Sequence, residues 1–235
     1  AGRAEGTGLD PFTDMDASWI LQEGRMVVNG EELPELRASG TLLDGRVMLD
    51  ESELQHELGI ARLKGDLNLD TMELGVALRA SLPSLPKLRT EVLRYQAELE
   101  LPSIDEGALS VDIRMETDLS QSDLEASFTG SVELRDLRLD GMEVAHVEIP
   151  IRGEGSMTSA ELNGSLHAQR ISQEEVSAAE LNASQWVAHW SPDAGLSLDS
   201  DLFLRNVSMG GDAVVIREIE GEIQGGQDSG SAISL

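Results

Sequence analysis

The side chains that could do chemistry are numerous but poorly arranged for it. Four histidines, His56, His146, His167 and His189, stand apart in the sequence. None has a second histidine one helical turn away with a Glu between, the spacing a helical zinc site needs, so scattered surface histidines are the preferred reading. Cysteine is absent, which removes thiolate nucleophiles, disulfides and iron–sulfur or zinc-finger ligand sets. No Gly-rich loop ends in Lys and a hydroxyl residue, no dinucleotide fingerprint follows a strand, and no glycine-flanked serine forms a nucleophile elbow. Asp66, Asn68 and Asp70 have the spacing of the first three ligands of a calcium loop. Thr71 stands where that loop needs glycine and Ala77 where it needs an acid, so alternate polar residues on the wet side of a strand are the better reading. Asp10, Asp14 and Asp16 read as a solvated acidic loop rather than a weak cation site. Paired carboxylates for glycoside hydrolysis carry no specificity among 44 acids, and one Tyr and three Trp offer few sugar platforms. Trp186 and Trp190, beside His189, read as an aromatic packing cluster rather than a ligand platform. The sequons at Asn163, Asn182 and Asn206 would matter only in a eukaryotic secretory pathway and carry little weight, since such matches arise often by chance in a Ser-rich chain.

Charge narrows the partners. Seventeen basic residues against 44 acidic ones give a formal net charge of −27. Nucleic acid is excluded as a partner, because binding it needs Lys and Arg to displace condensed counterions. Any contact with lipid must likewise run through apolar surface rather than a basic patch. Apolar residues make up 40% and aromatics 3%, so burial has to come from Leu, Val, Ile, Met and Ala. No stretch approaches ~18 consecutive apolar residues, and Ala1 to Asp10 lacks the basic start and apolar run of a signal peptide. The first residue is not Met, and the expectation is a single β-rich segment, 1–235, excised from a larger protein whose N-terminal anchor lies outside it.

The elements that would position these residues alternate with period two, the pattern of half-buried strands. Leu93, Tyr95, Ala97, Leu99 and Leu101 are separated by polar residues; so are Leu109, Val111, Ile113 and Met115; so are Met72, Leu74, Val76, Leu78 and Ala80. Leu124, Ala126 and Phe128 lead into Val132 and Leu134. The phase breaks between Leu139, Met142, Val144 and Val147, and a break of one residue moves later side chains to the other face unless a turn or bulge absorbs it. Asp44-Gly45, Asp140-Gly141 and Asn29-Gly30 predict tight hairpin turns. Glycine recurs at inward positions, as Gly65, Gly130, Gly164 and Gly221, and predicts bulges, bends or close backbone approaches. Short helices are expected over Glu51–Leu58, from Ser52 and Gln55 as a capping box, and over Ser172–Leu181. Pro83 and Pro86 predict a break or edge segment. Periodicity by itself favours a closed sandwich or barrel, unless the aliphatic face meets a ligand.

Two phrases resemble a known group. Leu134 to Val144 (LRDLRLDGMEV), and Phe203 to Met209 (FLRNVSM) followed by Ile216 to Ile223 (IREIEGEI), are similar to the AsmA-like family of Gram-negative envelope proteins, of TamB and YdbH type. The likeness is one of short Leu-rich strands, glycine punctuation, acidity and missing Cys over roughly the whole chain. It implies an all-β fold, an elongated, curled antiparallel sheet forming a hydrophobic groove (β-taco-like) with few short helices. It also implies a periplasmic place, an inner-membrane anchor outside this chain, phospholipid as cargo, and an outer-membrane protein or lipoprotein as partner. No cofactor, metal or catalytic residue is called for. The lining expected on this basis is Met72, Leu74, Val76, Leu78, Leu93, Tyr95, Leu99, Leu109, Val111, Ile113, Met115, Leu124, Phe128, Val132 and Leu134. The rival expectation is a structural or adhesive extracellular β protein with a closed, dry core.

Overall fold

The structure, a computed structural model, describes residues 2–6, 15–24, 27–28, 31–32, 35–95, 102–121, 124–156, 158–192, 195–209, 214–226 and 232–234. Alternation becomes strand almost everywhere. The elements are β1 (Gly2–Gly6), β2 (Met15–Gly24), β3 (Val27–Val28), β4 (Glu31–Glu32), β5 (Glu35–Leu43), β6 (Arg46–His56), β7 (Gly59–Asn68) and β8 (Glu73–Leu82). A helix, α1 (Leu85–Tyr95), follows. The chain then forms β9 (Ile104–Asp118), β10 (Ala126–Leu139), β11 (Met142–Gly155), β12 (Ala160–Gln173), β13 (Val176–Ser191), β14 (Gly195–Met209), β15 (Val214–Gly226) and β16 (Ala232–Ser234). Fourteen of the strands form one antiparallel sheet in chain order, β1-β2-β5 onward to β16, while β3 and β4 pair with each other. At a strand spacing of ~4.8 Å the sheet extends roughly 60 Å across its strands. Among the described residues β1 pairs with β2 and β16 with β15 and neither with the other, so the closed barrel favoured by periodicity does not form.

Turn chemistry holds this meander in register. Asp44 and Gly45 have φ of 47° and 69°, and Asp140 and Gly141 have 47° and 81°, both central residues being left-handed as a two-residue hairpin of matching twist requires. The third expected turn, Asn29-Gly30, lies outside the described residues.

One line of backbone deformation crosses the sheet. Arg135 faces His146 and Leu137 faces Val144, but Asp136 and Ala145 between them are not paired. The omission repeats at Arg170, Ala179, Asn206 and Arg217 on the following strands, with register unchanged on either side. Asp136, Arg170 and Asn206, on alternate strands, have φ of 51°, 53° and 52°. Each of these six strands therefore spends two residues, not one, between successive inward apolar side chains: Leu134 and Leu137, Val144 and Val147, Ala168 and Ile171, Ala178 and Leu181, Leu204 and Val207, Ile216 and Ile219. The phase break legible at Val144 and Val147 is one point on this crease. Val144, Val147, Ala168, Ala178 and Val207, all flanking it, are buried. Their cover comes from the same sheet, since Leu134, Ile149, Leu166 and Leu181 from one side and Leu137, Met142 and Ile171 from the other pack on Val144, Val147 and Ala168. The sheet is thus curled toward its apolar face.

Three expected elements are corrected. Glu51–Leu58 is not a helix, because β6 is laddered on both sides by β5 and β7 and Ser52 Oγ donates to the Leu63 carbonyl at 3.2 Å instead of capping. Ser172–Leu181 is the β12–β13 hairpin. Leu93 and Tyr95 are in α1, not a strand. Ser84 is its cap, accepting from the Leu88 backbone N–H at 3.2 Å and, through Oγ, from Lys87 N–H at 3.5 Å. Pro86 sits in the first turn, where its missing N–H costs no intrahelical bond.

Candidate functional site

Cross-strand register puts the inward residues of all the long strands on one face. Across β7 to β10 the rows read Leu63, Leu78, Ile113, Gly130 and Gly65, Val76, Met115, Phe128. Further on, Val111 and Val132 continue to Ile149, and Leu109 and Leu134 to Val147, Ala168, Leu181 and Leu204. The two buried polar residues of this face are satisfied within the sheet: besides Ser52, the Ser200 Oγ donates to the Gln185 carbonyl at 3.3 Å. Nothing polar on these two residues is left pointing at a bound molecule.

Most of the expected lining shares this face. Leu74, Val76 and Leu78 of β8, Leu109, Val111, Ile113 and Met115 of β9, and Phe128, Val132 and Leu134 of β10 are brought together. Met72 and Leu124 are not on strands; they stand in the loops before β8 and β10, exposed. Leu93 belongs to the helix, as does the backbone of Tyr95, and Leu99 lies outside the described residues. Strand alternation from 93 to 101 gave no warning that the helix starts upstream, although Ser84, Pro86 and the spacing of Leu85, Leu88 and Val92 carry a helical signal.

Sequence reasoning missed that all three tryptophans face inward. Trp19 pairs with Gly40, Trp186 with Gly164, and Trp190 with Ala160. A Cβ on Gly40 would lie 2.5 Å from the Trp19 ring and one on Gly164 2.8 Å from the Trp186 ring, so each indole is laid across a glycine of the adjacent strand. Trp186 Nε1 also donates to the Ser165 carbonyl at 3.2 Å. His189 does not belong with them: it pairs with Glu161 and Ser197 on the opposite face, its Nδ1 3.5 Å from the Glu161 carboxylate. The inward glycines at Gly130 and Gly164 mark close backbone approach, since a Cβ there would stand 2.2 Å from the Asp112 carbonyl oxygen and 2.1 Å from that of Pro150.

The outer face is a solvated lattice of charge. Arg62 pairs with Glu53 at 2.9 Å, Arg79 with Asp112 at 2.8 Å, Arg138 with Glu143 at 2.6 Å and Arg205 with Glu218 at 3.1 Å. Exposed pairs of this kind are screened by water and add little to stability. The Arg62 guanidinium, and then the Gln55 amide, hold the Glu53 carboxyl below its ordinary range. Asp118 is held low by the Ser120 hydroxyl first, then the Ser120 backbone N–H and Gln121. Asn68 Oδ1 accepts from the Asp70 and Thr71 backbone N–H groups at 2.9 and 3.2 Å, which is turn chemistry in place of a calcium ligand. Among the described residues no group of three or more His, Asp or Glu side chains is placed to hold a metal ion.

No known protein family, curated protein or solved structure matches the chain.

Proposed function

We propose that this chain is a groove segment of an AsmA-like lipid-transfer bridge of the Gram-negative envelope, holding phospholipid acyl chains against its apolar face between inner and outer membrane. The observation that carries the reading is a continuous aliphatic face on a curled sheet, on which α1 packs against β9. Acyl chains need an apolar trough and no fixed polar contact, and each buried CH₂ contributes about 0.8 kcal/mol. A trough without directional bonds also lets a chain slide, which transport requires. The acidic outer face suits solubility and discourages edge-to-edge pairing of like molecules. The periplasmic setting, an anchor outside this chain and an outer-membrane protein or lipoprotein partner belong to the same proposal.

Native mass spectrometry of the 235-residue chain, with organic extraction of the same sample, tests it. Phospholipid bound in several copies is expected. A folded protein that stays lipid-free after incubation with phospholipid vesicles would favour the rival, a structural or adhesive β protein.

A further inference from the structure

Both rims of the groove are lined with acids, and α1 is the exception to them. Around the hairpins that join β5 to β6, β7 to β8 and β9 to β10 stand Asp44, Asp70, Glu73, Asp118 and Glu125, with Arg46 as the basic residue among them. The other rim carries Glu57, Asp105, Glu106, Asp140, Glu174 and Glu175, but also α1, which has Lys87, Arg89 and Arg94 against Glu91, a net of 3 − 1 = +2 in a chain of −27. No other described element exceeds the +1 of β7, where Arg62 and Lys64 oppose Asp66.

This helix is also seated on the groove. Leu85 is buried, and a Cβ on Gly107 of β9 would lie 2.9 Å from the Leu85 side chain and 3.3 Å from that of Leu137. Leu137 is an inward residue of the crease, so α1 lies where the crease reaches β9. Lys87 and Arg94 are on its exposed side. Arg89 is anchored, its Nε donating to the Pro102 carbonyl at 2.7 Å, and Arg94 lies 3.6 Å from Glu91.

Resting on the lipid reading above, we propose that α1 selects the headgroup: a phospholipid whose acyl chain lies beside Leu85 and Leu137 presents its head to Lys87, Arg89 and Arg94, which favour a net anionic headgroup over a zwitterionic one. The cations act at the groove mouth, where water screens them partly, and their effect falls with salt.

The test is native mass spectrometry of the full chain after exposure to mixed micelles of equal phosphatidylglycerol and phosphatidylcholine. The wild type is expected to retain phosphatidylglycerol in excess. Lys87→Glu should lower the phosphatidylglycerol-to-phosphatidylcholine ratio about threefold, with total bound lipid unchanged, and Lys87→Gln by less. Arg46→Glu, which alters net charge by the same amount on the other rim, should leave the ratio as it was. Bound lipid with an unchanged ratio in Lys87→Glu, or an equal fall in Arg46→Glu, would overturn headgroup selection by α1 while leaving the groove intact. No bound lipid in the wild type would overturn the groove reading and this inference with it.

Discussion

Leu63 and Leu78 face each other across β7 and β8 and each keeps 36% of its surface exposed, whereas Ala168 of β12 and Val207 of β14 keep 3% and 2%. Both regions obey the same alternation and both point these residues to the same face. They differ in strand length and in phase. β5 to β8 have 9 to 11 residues, and there the two-residue step occurs in β6 alone, as a bulge between Leu49 and Ser52 that β5 and β7 do not share, while β10 to β15 have 13 to 16 and carry it in register from strand to strand. Alternation alone yields a sheet with a half-covered apolar side. The crease turns that side in on itself and supplies, within a single layer, the burial that a second sheet would otherwise provide.

If that is the origin of the difference, a carboxylate should be far worse tolerated at the crease than on the flatter part. Ala168→Asp buries an unpaired charge among Val144, Val147 and their neighbours, and should cost about 3 kcal/mol or more. Leu63→Asp, with a third of the site open to water, should cost about half as much. Urea denaturation followed by tryptophan fluorescence compares them, and equal losses would break the distinction. Glycine positions sharpen it. Gly164→Ala would drive a Cβ against the Pro150 carbonyl oxygen at 2.1 Å and should cost about 2 kcal/mol, whereas at Gly65 the nearest atom is 3.4 Å away and Gly65→Ala should fall within about 0.5 kcal/mol of wild type. The smallest effect concerns the crease itself. Arg170→Gly relieves a left-handed residue with a Cβ, by about 1 kcal/mol before the added chain entropy offsets part of it. A slightly raised melting temperature is expected, with Asn206→Gly nearer to no change because Asn tolerates that conformation.

Faces and turns were legible in the sequence for a local reason: alternation and Asp-Gly pairs are contained within a few residues. Leu109 to Met115 and Asp140-Gly141 needed no knowledge of neighbours. The crease was only partly legible. The shift at Val144 and Val147 is visible along one strand, but it becomes a fold line only when register aligns Asp136, Arg170 and Asn206, and register is a property of pairs. The helix was misread because Leu93 to Leu101 satisfies period two while the capping by Ser84 begins nine residues earlier. The tryptophans were partly legible: alternation puts Trp186 and Trp190 on one face and His189 on the other, while the bulge between Ala183 and Trp186 decides which face of the sheet the two indoles take.

That shared face makes the central claim directly measurable. The chain has three tryptophans, Trp19, Trp186 and Trp190, all inward, and Trp19 and Trp190 are 38% and 41% exposed there. Phospholipid carrying bromine midway along its acyl chains should quench their fluorescence in proportion to occupancy, while unbrominated lipid of the same headgroup should shift the emission to shorter wavelength without quenching. An unchanged spectrum with brominated lipid, from protein whose circular dichroism remains that of a β sheet, would mean that acyl chains do not enter the groove.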